Sequence, residues 1–575
     1  MLLRDSRRLT GPNLLFDSPG AAIEIVIHDG ERPERVDAGV DAGVIVDAWR
    51  DAARHILDAV GWRKERLATR TFPGGMILAL TAPIDALYAA TEVNEWAWAA
   101  AEAALNGRPE PSLEEGAAAL KAVIEAEENP ALMALAAAAA ARDVAFLADG
   151  ETASVGLGNG SLSWPLAELP RPDDIDWRRV HDVPAILVTG TNGKTTTVRL
   201  VAAMVAAAGK MPGVASTDGI TVGSEVVARG DYSGPGGARI VLRHPRVEVA
   251  CLETARGGIL RRGLAVRRAD AALITNVAAD HLGEFGVHDL DGLVDTKLVV
   301  TRVVGRDGRV VLNADDPRLK KRAAEIQAPI TWFTLEPGSG GGRRACMVES
   351  GAIVLARDRR RDLVVAVNEV PIFLDGKARH NVYNALGAVG LADALGLPIA
   401  AMAAALVGFR NTPGQNPGRG SLLELGGVRV LVDYAHNPHG MAAVVDMVAS
   451  LPTQRRLVVL GQAGDRDDEA IRELARTAWQ LRPDRVLVKE LPLYLRGRAE
   501  GEVPALLESE LRRLGAPPDA VARAGNEMAA VREALTWARP GDLLVLPIHE
   551  ERAAVLELLE SLRERGWTPG ENLGP

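Results

Sequence analysis

Residues 188–197 read Val-Thr-Gly-Thr-Asn-Gly-Lys-Thr-Thr-Thr, and this stretch decides the fold. An apolar run, 185–189, enters it as a buried strand, and an amphipathic helix leaves it, running to about residue 208. Between them Gly190 and Gly193 let backbone N–H groups approach phosphate oxygens, and the helix N-terminus favours negative charge there. Lys194 has the reach for β- and γ-phosphates, and the Thr195 hydroxyl is placed to ligate Mg²⁺. Thr191, Asn192 and Thr196 complete a nucleotide-binding loop. Its spacing departs from the common Walker form, because Val188 stands where the first glycine of that form would fall.

Further along, 247–253 is an apolar strand ending in an acid. A carboxylate at the C-terminal edge of a neighbouring strand can hold the metal beside the phosphate loop, which makes Glu253 a candidate. The next residues, TARGGILRRG at 254–263, supply Arg256, Arg261 and Arg262, suited to an anionic substrate. A third buried run opens NVAADHLG at 276–283, so Asp280 and His281 also fall at the edge where open α/β sheets place ligands. Magnesium prefers oxygen donors, so chemistry alone gives His281 a weak claim.

The strand-like runs 185–189, 247–253, 271–276 and 309–312 alternate with helices, which predicts a mostly parallel sheet covered on both faces. The glycine-rich stretch 336–344 is expected as a loop or lid insertion. A second alternating block has strands at 428–434, 456–461, 485–489 and 542–547, with NTPGQNPGRG at 411–420 as the hinge. Before the phosphate loop the texture differs. Short β-like runs at 22–28 and 76–81 mix with Ala-rich helical stretches at 84–105 and 112–142. Trp96 and Trp98 lie in the first of these and are expected to pack in a core. Residues 150–184, with SVGLGNGS and ELPRPDDIDW, read as a turn-rich linker. The fold class is therefore α/β, preceded by an α+β N-terminal domain. The expected limits are 1–150 for the N-terminal domain, 151–182 for the linker, 183–418 for the central domain and 419–575 for a Rossmann-like C-terminal domain.

Composition restricts the alternatives. Across 575 residues, 66 basic against 76 acidic side chains give a net charge of −10, unlike the clustered basic surface that nucleic acid needs. Two cysteines cannot build a disulfide framework or a four-cysteine zinc site. The longest uncharged apolar run, 131–141, is too short to span a bilayer, and the N-terminus lacks a secretory core. A cytoplasmic protein without nucleic-acid or membrane partners is expected. Only nine of the basic residues are lysines. A chain that sparing with lysine should use it where an amine is required.

The quoted motifs carry a resemblance. GTNGKTT at 190–196, NVAADHLG at 276–283, LNADDP at 312–317, HNVYNALGA at 380–388 and DYAHNP at 433–438 resemble the ATP-dependent Mur ligase superfamily. Within it, STDGITVG at 216–223, ETARGGILRRGL at 253–264, GRG at 418–420 and RGRAEGE at 496–502 resemble the Mur-like half of cyanophycin synthetases. RRLTGPN at 7–13 is similar to the amino-terminal domain of the same enzymes. Those enzymes insert an ATP-grasp domain before their Mur-like half. Here fewer than fifty residues separate Arg142 from the strand before the phosphate loop, too few for a domain with its own core.

The resemblance implies a carboxylate-to-amide ligation driven by ATP through an acyl phosphate, joining an amino acid to an acidic peptide or peptide polymer. It implies that Lys194 and Thr195 hold phosphates and Mg²⁺, with Glu253 and His281 as the metal-binding acid and histidine. Lys297 aligns with a lysine carbamylated in many Mur ligases. Asn313, His380, Asn381 and Asn384 match adenine-side contacts, Arg419 an arginine reaching the phosphates, and Asp433 the ribose-side acid. His436 would help position phosphate or substrate. Ser216, Thr217, Arg256, Arg261, Asp465, Arg466, Lys489, Arg496 and Arg498 are candidate substrate contacts. A homo-oligomer is expected. The competing reading is a nucleotide-binding, non-catalytic partner of a separate ATP-grasp ligase. A folate polyglutamylating ligase would share the phosphate loop but leaves ETARGGILRRGL unexplained, and a zinc-ribbon amidating ligase needs four thiolates.

Overall fold

The computed structural model describes residues 1–27, 41–336, 338, 343–412 and 414–574. His28, the end of one expected strand, lies outside the described residues, as do 337 and 339–342 of the expected lid and 413 of the expected hinge.

The central domain is built on an eleven-stranded sheet with Ala185–Thr189 near its middle, flanked by Val249–Glu253 and Ala269–Ile274. Strands from Pro212–Ser216 through Arg344–Glu349 run parallel, and antiparallel strands close both edges. Alternation along the middle strand feeds two cores, because successive side chains point to opposite faces. Ile186 and Val188 pack under the helices Lys194–Ala207, Arg379–Ala394 and Ile399–Gly408. Ala185 and Leu187 pack against Pro235–Leu242 and Leu290–Arg302. Sequence reasoning missed Gly219–Val222, Glu225–Arg229, Arg344–Glu349, Ala352–Arg357 and Arg360–Ala366. Of these, Glu225–Arg229 and Arg360–Ala366 are the sheet's two edges, with largely exposed, charged positions.

The C-terminal domain has a six-stranded sheet. Val428–Asp433, Leu543–Pro547, Arg456–Leu460, Arg485–Lys489 and Val521–Ala524 lie parallel in that order, and Ser421–Leu425 is antiparallel at one edge. This doubly covered parallel sheet is the expected Rossmann-like arrangement.

The N-terminal domain is a four-stranded antiparallel sheet of Leu2–Leu9, Gly20–Val26, Gly75–Thr81 and Leu67–Phe72. One face buries Ile23, Ile25, Leu78 and Leu80 against the helices Ala42–Val60 and Leu87–Leu105. Trp98 is buried there, and Trp49 donates to Asn94 at 3.0 Å. The expected helix over 112–142 is two helices, Leu113–Glu127 and Pro130–Ala140. Pro130 cannot continue the first, and the Asn129 side chain caps the second.

The stretch expected as a linker is folded. Phe146–Ala148, Thr152–Val155 and Leu162–Pro165 form a three-stranded sheet, which packs Ala153, Val155, Ile175 and Val180 onto Leu132, Leu135 and Ala139. Enough apolar residues are spaced through its turns to bury a small core of their own.

The N-terminal sheet is docked on the central domain where two of the quoted motifs meet. Thr10 N–H donates to Arg262 O and Leu264 N–H to Pro12 O, each at 2.7 Å. Arg7 Nε donates to Leu260 O at 3.1 Å. A Cβ on Gly11 would lie 2.1 Å from Leu264 O, so only glycine permits this approach. No helix among the described residues is long and apolar enough to cross a membrane.

Candidate active site

A cleft of about 1390 Å³ opens at the C-terminal edge of the central sheet, between the central and C-terminal domains. Its floor is the phosphate loop. Gly190 has φ of 144° and Gly193 of 87°. A Cβ would meet Thr275 Oγ1 at 1.8 Å in the first case and Asn384 Oδ1 at 2.2 Å in the second. Both glycines are required by conformation and by space. Lys194 Nζ folds back to Gly190 O and Thr191 O at 3.1 and 2.9 Å. The loop is tied to the next strand's end, with Thr191 Oγ1 donating to Ala278 O and Thr275 Oγ1 to Asn192 O. Asn313 Nδ2 in turn donates to Thr275 O at 3.0 Å.

Glu253 sits beside the loop, 2 % exposed. Thr195 Oγ1 donates to its Oε2 at 2.9 Å, Thr217 N–H to the same oxygen at 3.1 Å, and Thr217 Oγ1 to Oε1 at 2.8 Å. A carboxylate clasped between two hydroxyls at a phosphate loop is an oxygen-rich donor set, the kind a magnesium ion takes. Lys297, on the helix Leu290–Arg302, also lines the cleft and is 2 % exposed. Burial, reinforced by Lys194, pushes its amine well below the usual lysine range. Among the described residues it has no salt-bridge partner.

His281 follows the strand end and has φ of 53°. The Arg466 guanidinium lies 2.8 and 3.1 Å from its two ring nitrogens. Asp280, one residue earlier, receives Arg466 at 3.1 Å, Asn437 Nδ2 at 3.1 Å and His436 Nε2 at 3.4 Å. Burial alone would raise the Asp280 pKa, but His436, His281 and Arg466 together hold it well below the carboxylate range. His281, Glu284 and Asp465 present donor atoms within 4.8 Å of one another. Arg256 pairs with Glu284, and Arg466 with Asp465 at 2.9 Å, so arginines already neutralise this group.

Beside Thr217, three guanidiniums converge on Asp218. Arg552 Nη2 reaches it at 2.5 Å, Arg199 Nη2 at 3.1 Å and Arg419 Nη2 at 3.3 Å. Arg419 also lies 4.3 Å from the Tyr434 ring centroid. Burial opposes ionisation of Asp218, and Arg419, Arg552 and Arg199 outweigh it, keeping the carboxyl ionised. Asp433 lines the cleft. Desolvation pushes it up to about 6, against the pull of Arg419.

His380, Asn381, Asn384 and Asn313 also line the cleft, Asn384 and Asn313 beside the phosphate loop. Desolvation pushes the His380 imidazole down to about 4. The phosphate loop meets the C-terminal domain directly, since Asn192 Nδ2 donates to Asn437 Oδ1 at 3.1 Å and lies 2.9 Å from His439 Nδ1. Thr196 Oγ1 accepts a long 3.5 Å contact from Asn416.

Three expected substrate contacts lie elsewhere. Lys489 is 1 % exposed, paired with Glu527 and donating to Pro547 O at 2.6 Å. A strand-end lysine turned into the sheet's helix layer reads identically in sequence to one facing the cleft. Ser216 is buried, donating to Gly219 O at 3.2 Å in a hairpin turn. Arg498 donates to Arg466 O at 2.7 Å and Gly464 O at 2.9 Å, shaping the loop that carries Arg466. Thr217, Arg256, Arg261, Asp465, Arg466 and Arg496 do line the cleft. Arg256 is committed to the His281 carbonyl and Glu284, and Arg496 to Asp465.

Sequence reasoning missed Asp218 and Arg552. Asp218 was within reach, since it follows Thr217 inside STDGITVG. Arg552 opens an ordinary amphipathic helix, Arg552–Glu564, and nothing local marks it.

The chain matches the Mur ligase middle domain over residues 188–392 and the Mur ligase, glutamate ligase domain, over residues 418–547. The cyanophycin synthetase of Trichormus variabilis is 38 % identical over 389 residues, covering 66 % of this chain and 43 % of that protein. The chain thus spans less than half of the length of that relative. The UDP-N-acetylmuramoyl-L-alanyl-D-glutamate–2,6-diaminopimelate ligase of Gloeobacter violaceus is 28 % identical over 406 residues, 66 % of this chain and 78 % of that one. Among solved structures, E. coli FolC in complex with ADP superposes with a TM-score of 0.48 at 19 % identity, covering 66 % of this chain and 90 % of FolC.

Proposed function

Because the chain belongs to the Mur ligase superfamily, carrying its middle and C-terminal domains, we propose that it is an ATP-dependent carboxylate–amine ligase. It joins an amino acid to a carboxylate of an acidic peptide or peptide polymer. The observation that carries this reading is Glu253 clasped between Thr195 and Thr217 at the phosphate loop, facing the arginines of the C-terminal domain.

A carboxylate resists amines because its carbon is a poor electrophile. In the proposed reaction a carboxylate oxygen of the acceptor attacks the γ-phosphorus, the bond to the bridging oxygen breaks, and ADP leaves. The amine nitrogen then attacks the acyl carbon, inorganic phosphate departs with its oxygen, and the nitrogen loses a proton. Such a site works mainly by positioning and charge neutralisation. Gly190, Gly193 and Lys194 cradle the phosphates, while Asn313, His380, Asn381 and Asn384 border the adenine and Asp433 the ribose. Arg419 neutralises charge on the transferred group. Thr195 and Glu253 would hold magnesium, which when bound supplies charge neutralisation at the phosphates. His281 would join them as a ligand once Arg466 leaves its ring nitrogens.

Lys297 is read as the carbamylated lysine. A neutral amine takes up CO₂ and loses a proton to give a carbamate. Burial lowers the Lys297 pKa and so favours its neutral form, and the carbamate adds an oxygen anion at the cleft. Arginine, ionised at accessible pH, has no such route. Arg261, Arg256 and Thr217 flank the acceptor end, and Asp465, Arg466 and Arg496 the amine end. Closure of the C-terminal domain keeps water from the acyl phosphate.

The test is an ADP-release screen of the proteinogenic amino acids against aspartyl and glutamyl peptides. Amine-stimulated turnover is expected. Its absence from magnesium-loaded protein that still binds ATP would replace this reading with that of a non-catalytic partner for a separate ATP-grasp ligase.

A further inference from the structure

The N-terminal sheet has two unlike faces. One covers its own helices, as described. The other carries Arg7, Leu9, Ala22, Glu24, Ile77, Ala79, Arg70 and Phe72, which the strand register places side by side. Leu9, Ala22, Ile77 and Ala79 form a separate small core there, with Phe72 packed against it. Besides Phe16 and Leu260, this second face covers residues 285–288, which continue the segment that begins at His281.

That segment is held in an unusual conformation. His281 and Phe285 both adopt left-handed backbone, with φ of 53° and 52°. Non-glycine residues enter that region at a cost, and they persist there only where their surroundings over-determine them. The central domain supplies part of the restraint through Arg256, which donates to His281 O at 2.5 Å. The N-terminal face supplies the rest. Phe72 stacks on the His288 ring with centroids 4.7 Å apart and planes 18° apart. Gly286 lies flush beneath it, where a Cβ would meet Ile77 at 2.8 Å and Phe72 at 3.0 Å. Two guanidiniums, Arg7 and Arg261, each lie 5.2 Å from the centroid of the Phe285 ring. One turn further, Arg70 Nη2 lies 3.7 Å from Asp295, two residues before Lys297 on the same helix.

We propose that the N-terminal domain is a positioning brace for the cleft: through Phe72, Ile77, Arg7 and Arg70 it fixes the 281–289 segment and the start of the Lys297 helix. Phe72 and Arg70 do not line the cleft, so they act through His281 and Lys297 rather than on substrate. The kinetic consequence rests on the ligase reading above, but the conformational one does not.

Hydrogen–deuterium exchange on the full chain separates them. Phe72→Ala is expected to speed exchange in peptides covering 277–289 by about threefold to tenfold, the loss of one aromatic stack, while peptides from the C-terminal sheet are unchanged. Phe72→Tyr keeps the stack and should restore wild-type exchange. Arg70→Gln should speed exchange at 290–297. If Phe72→Ala fails to fold, Arg70→Gln carries the test. In the ADP-release assay the braced reading expects kcat to fall for Phe72→Ala while KM for ATP stays within about twofold, since the phosphate loop is untouched. Folded variants with wild-type exchange in both segments overturn the brace. A wild-type chain without amine-stimulated turnover overturns the ligase reading instead, and leaves the exchange result to decide this one.

Discussion

Arg552 of the C-terminal domain and Asp218 of the central domain meet at 2.5 Å across the cleft, on the carboxylate oxygen that also receives Arg419. One buried acid therefore fastens two guanidiniums of the C-terminal domain beside Thr217 and the Glu253 clasp. Asp218→Asn leaves three arginines facing one another without a counter-charge. Removing one partner of a buried ion cluster costs about 3–5 kcal/mol. That cost should appear as a lower thermal midpoint and as a fall of at least about 100-fold in kcat/KM for ATP. Calorimetry and ADP release check it. An unchanged kcat/KM would reduce Asp218 to a passive counter-ion.

Glu253→Gln preserves shape and removes charge. With the amide oxygen in the Oε2 position, the side chain still accepts from Thr195 Oγ1 and Thr217 N–H. The amide nitrogen in the Oε1 position donates to Thr217 Oγ1, so the fold should be little changed. The magnesium concentration for half-maximal ADP release should rise by about tenfold or more, because an amide oxygen is a weaker donor to a hard cation than a carboxylate. A magnesium titration with unaltered midpoint would remove Glu253 from the metal site.

Lys297→Ala should lose most turnover while ATP binding by calorimetry survives. Lys297→Arg should fail equally, since a buried guanidinium brings positive charge where the carbamate brings negative. Added bicarbonate should raise wild-type activity after CO₂ depletion and leave both variants flat. Near-normal turnover in Lys297→Ala would end the carbamate assignment.

Asp433 makes a pH prediction whose sign is fixed by its burial. Its carboxyl rises from 3.8 to about 6 in the folded protein. A raised folded pKa stabilises the fold fully below the unfolded value and loses that contribution as pH climbs through the folded one. Wild-type stability should therefore carry a component that declines between 3.8 and about 6. Asp433→Asn should lack that decline in denaturant midpoints taken across the window. Parallel curves for the two proteins would contradict the assignment.

Lys489→Met separates structure from substrate. Glu527 is then left buried without its counter-charge, holding only the His549 and Glu551 N–H donors. Unfolding should become easier by about 3–5 kcal/mol, and Glu527→Gln in the same chain should recover part of it. KM for the amino acid should not respond in the double variant. A raised KM with normal stability would return Lys489 to the cleft.

What could be read in advance was the part of the molecule where local chemistry and topology coincide. A strand, a glycine turn and a helix place Lys194 and Thr195, and parallel strands on either side must deliver Glu253 and Asp280 to the same edge. Register does the rest, pairing Glu253 with Val188 and Ile274 with Thr189. Residues whose role depends on another domain were beyond such reasoning. Lys489 faces inward because Glu527 waits on a later helix, and Arg552 matters because Asp218 lies hundreds of residues earlier. The folded segment at 151–182 was missed for a different reason: its core is small, shared with the helix Pro130–Ala140, and broken by glycines and prolines that resemble loop punctuation.

The folded-back ammonium of Lys194 has a thermodynamic consequence. Its bonds to Gly190 O and Thr191 O, with the Asn276 carbonyl accepting Thr191 N–H at 3.0 Å, satisfy the loop internally. A nucleotide arriving there meets a mould already set, so little chain entropy is lost on contact. What the phosphates must displace is a pair of neutral carbonyl acceptors, and they offer the ammonium anionic oxygens in exchange. Affinity at this end of the cleft is then governed by that swap of acceptors, and the heat of nucleotide binding should register it as enthalpy rather than as ordering of the backbone.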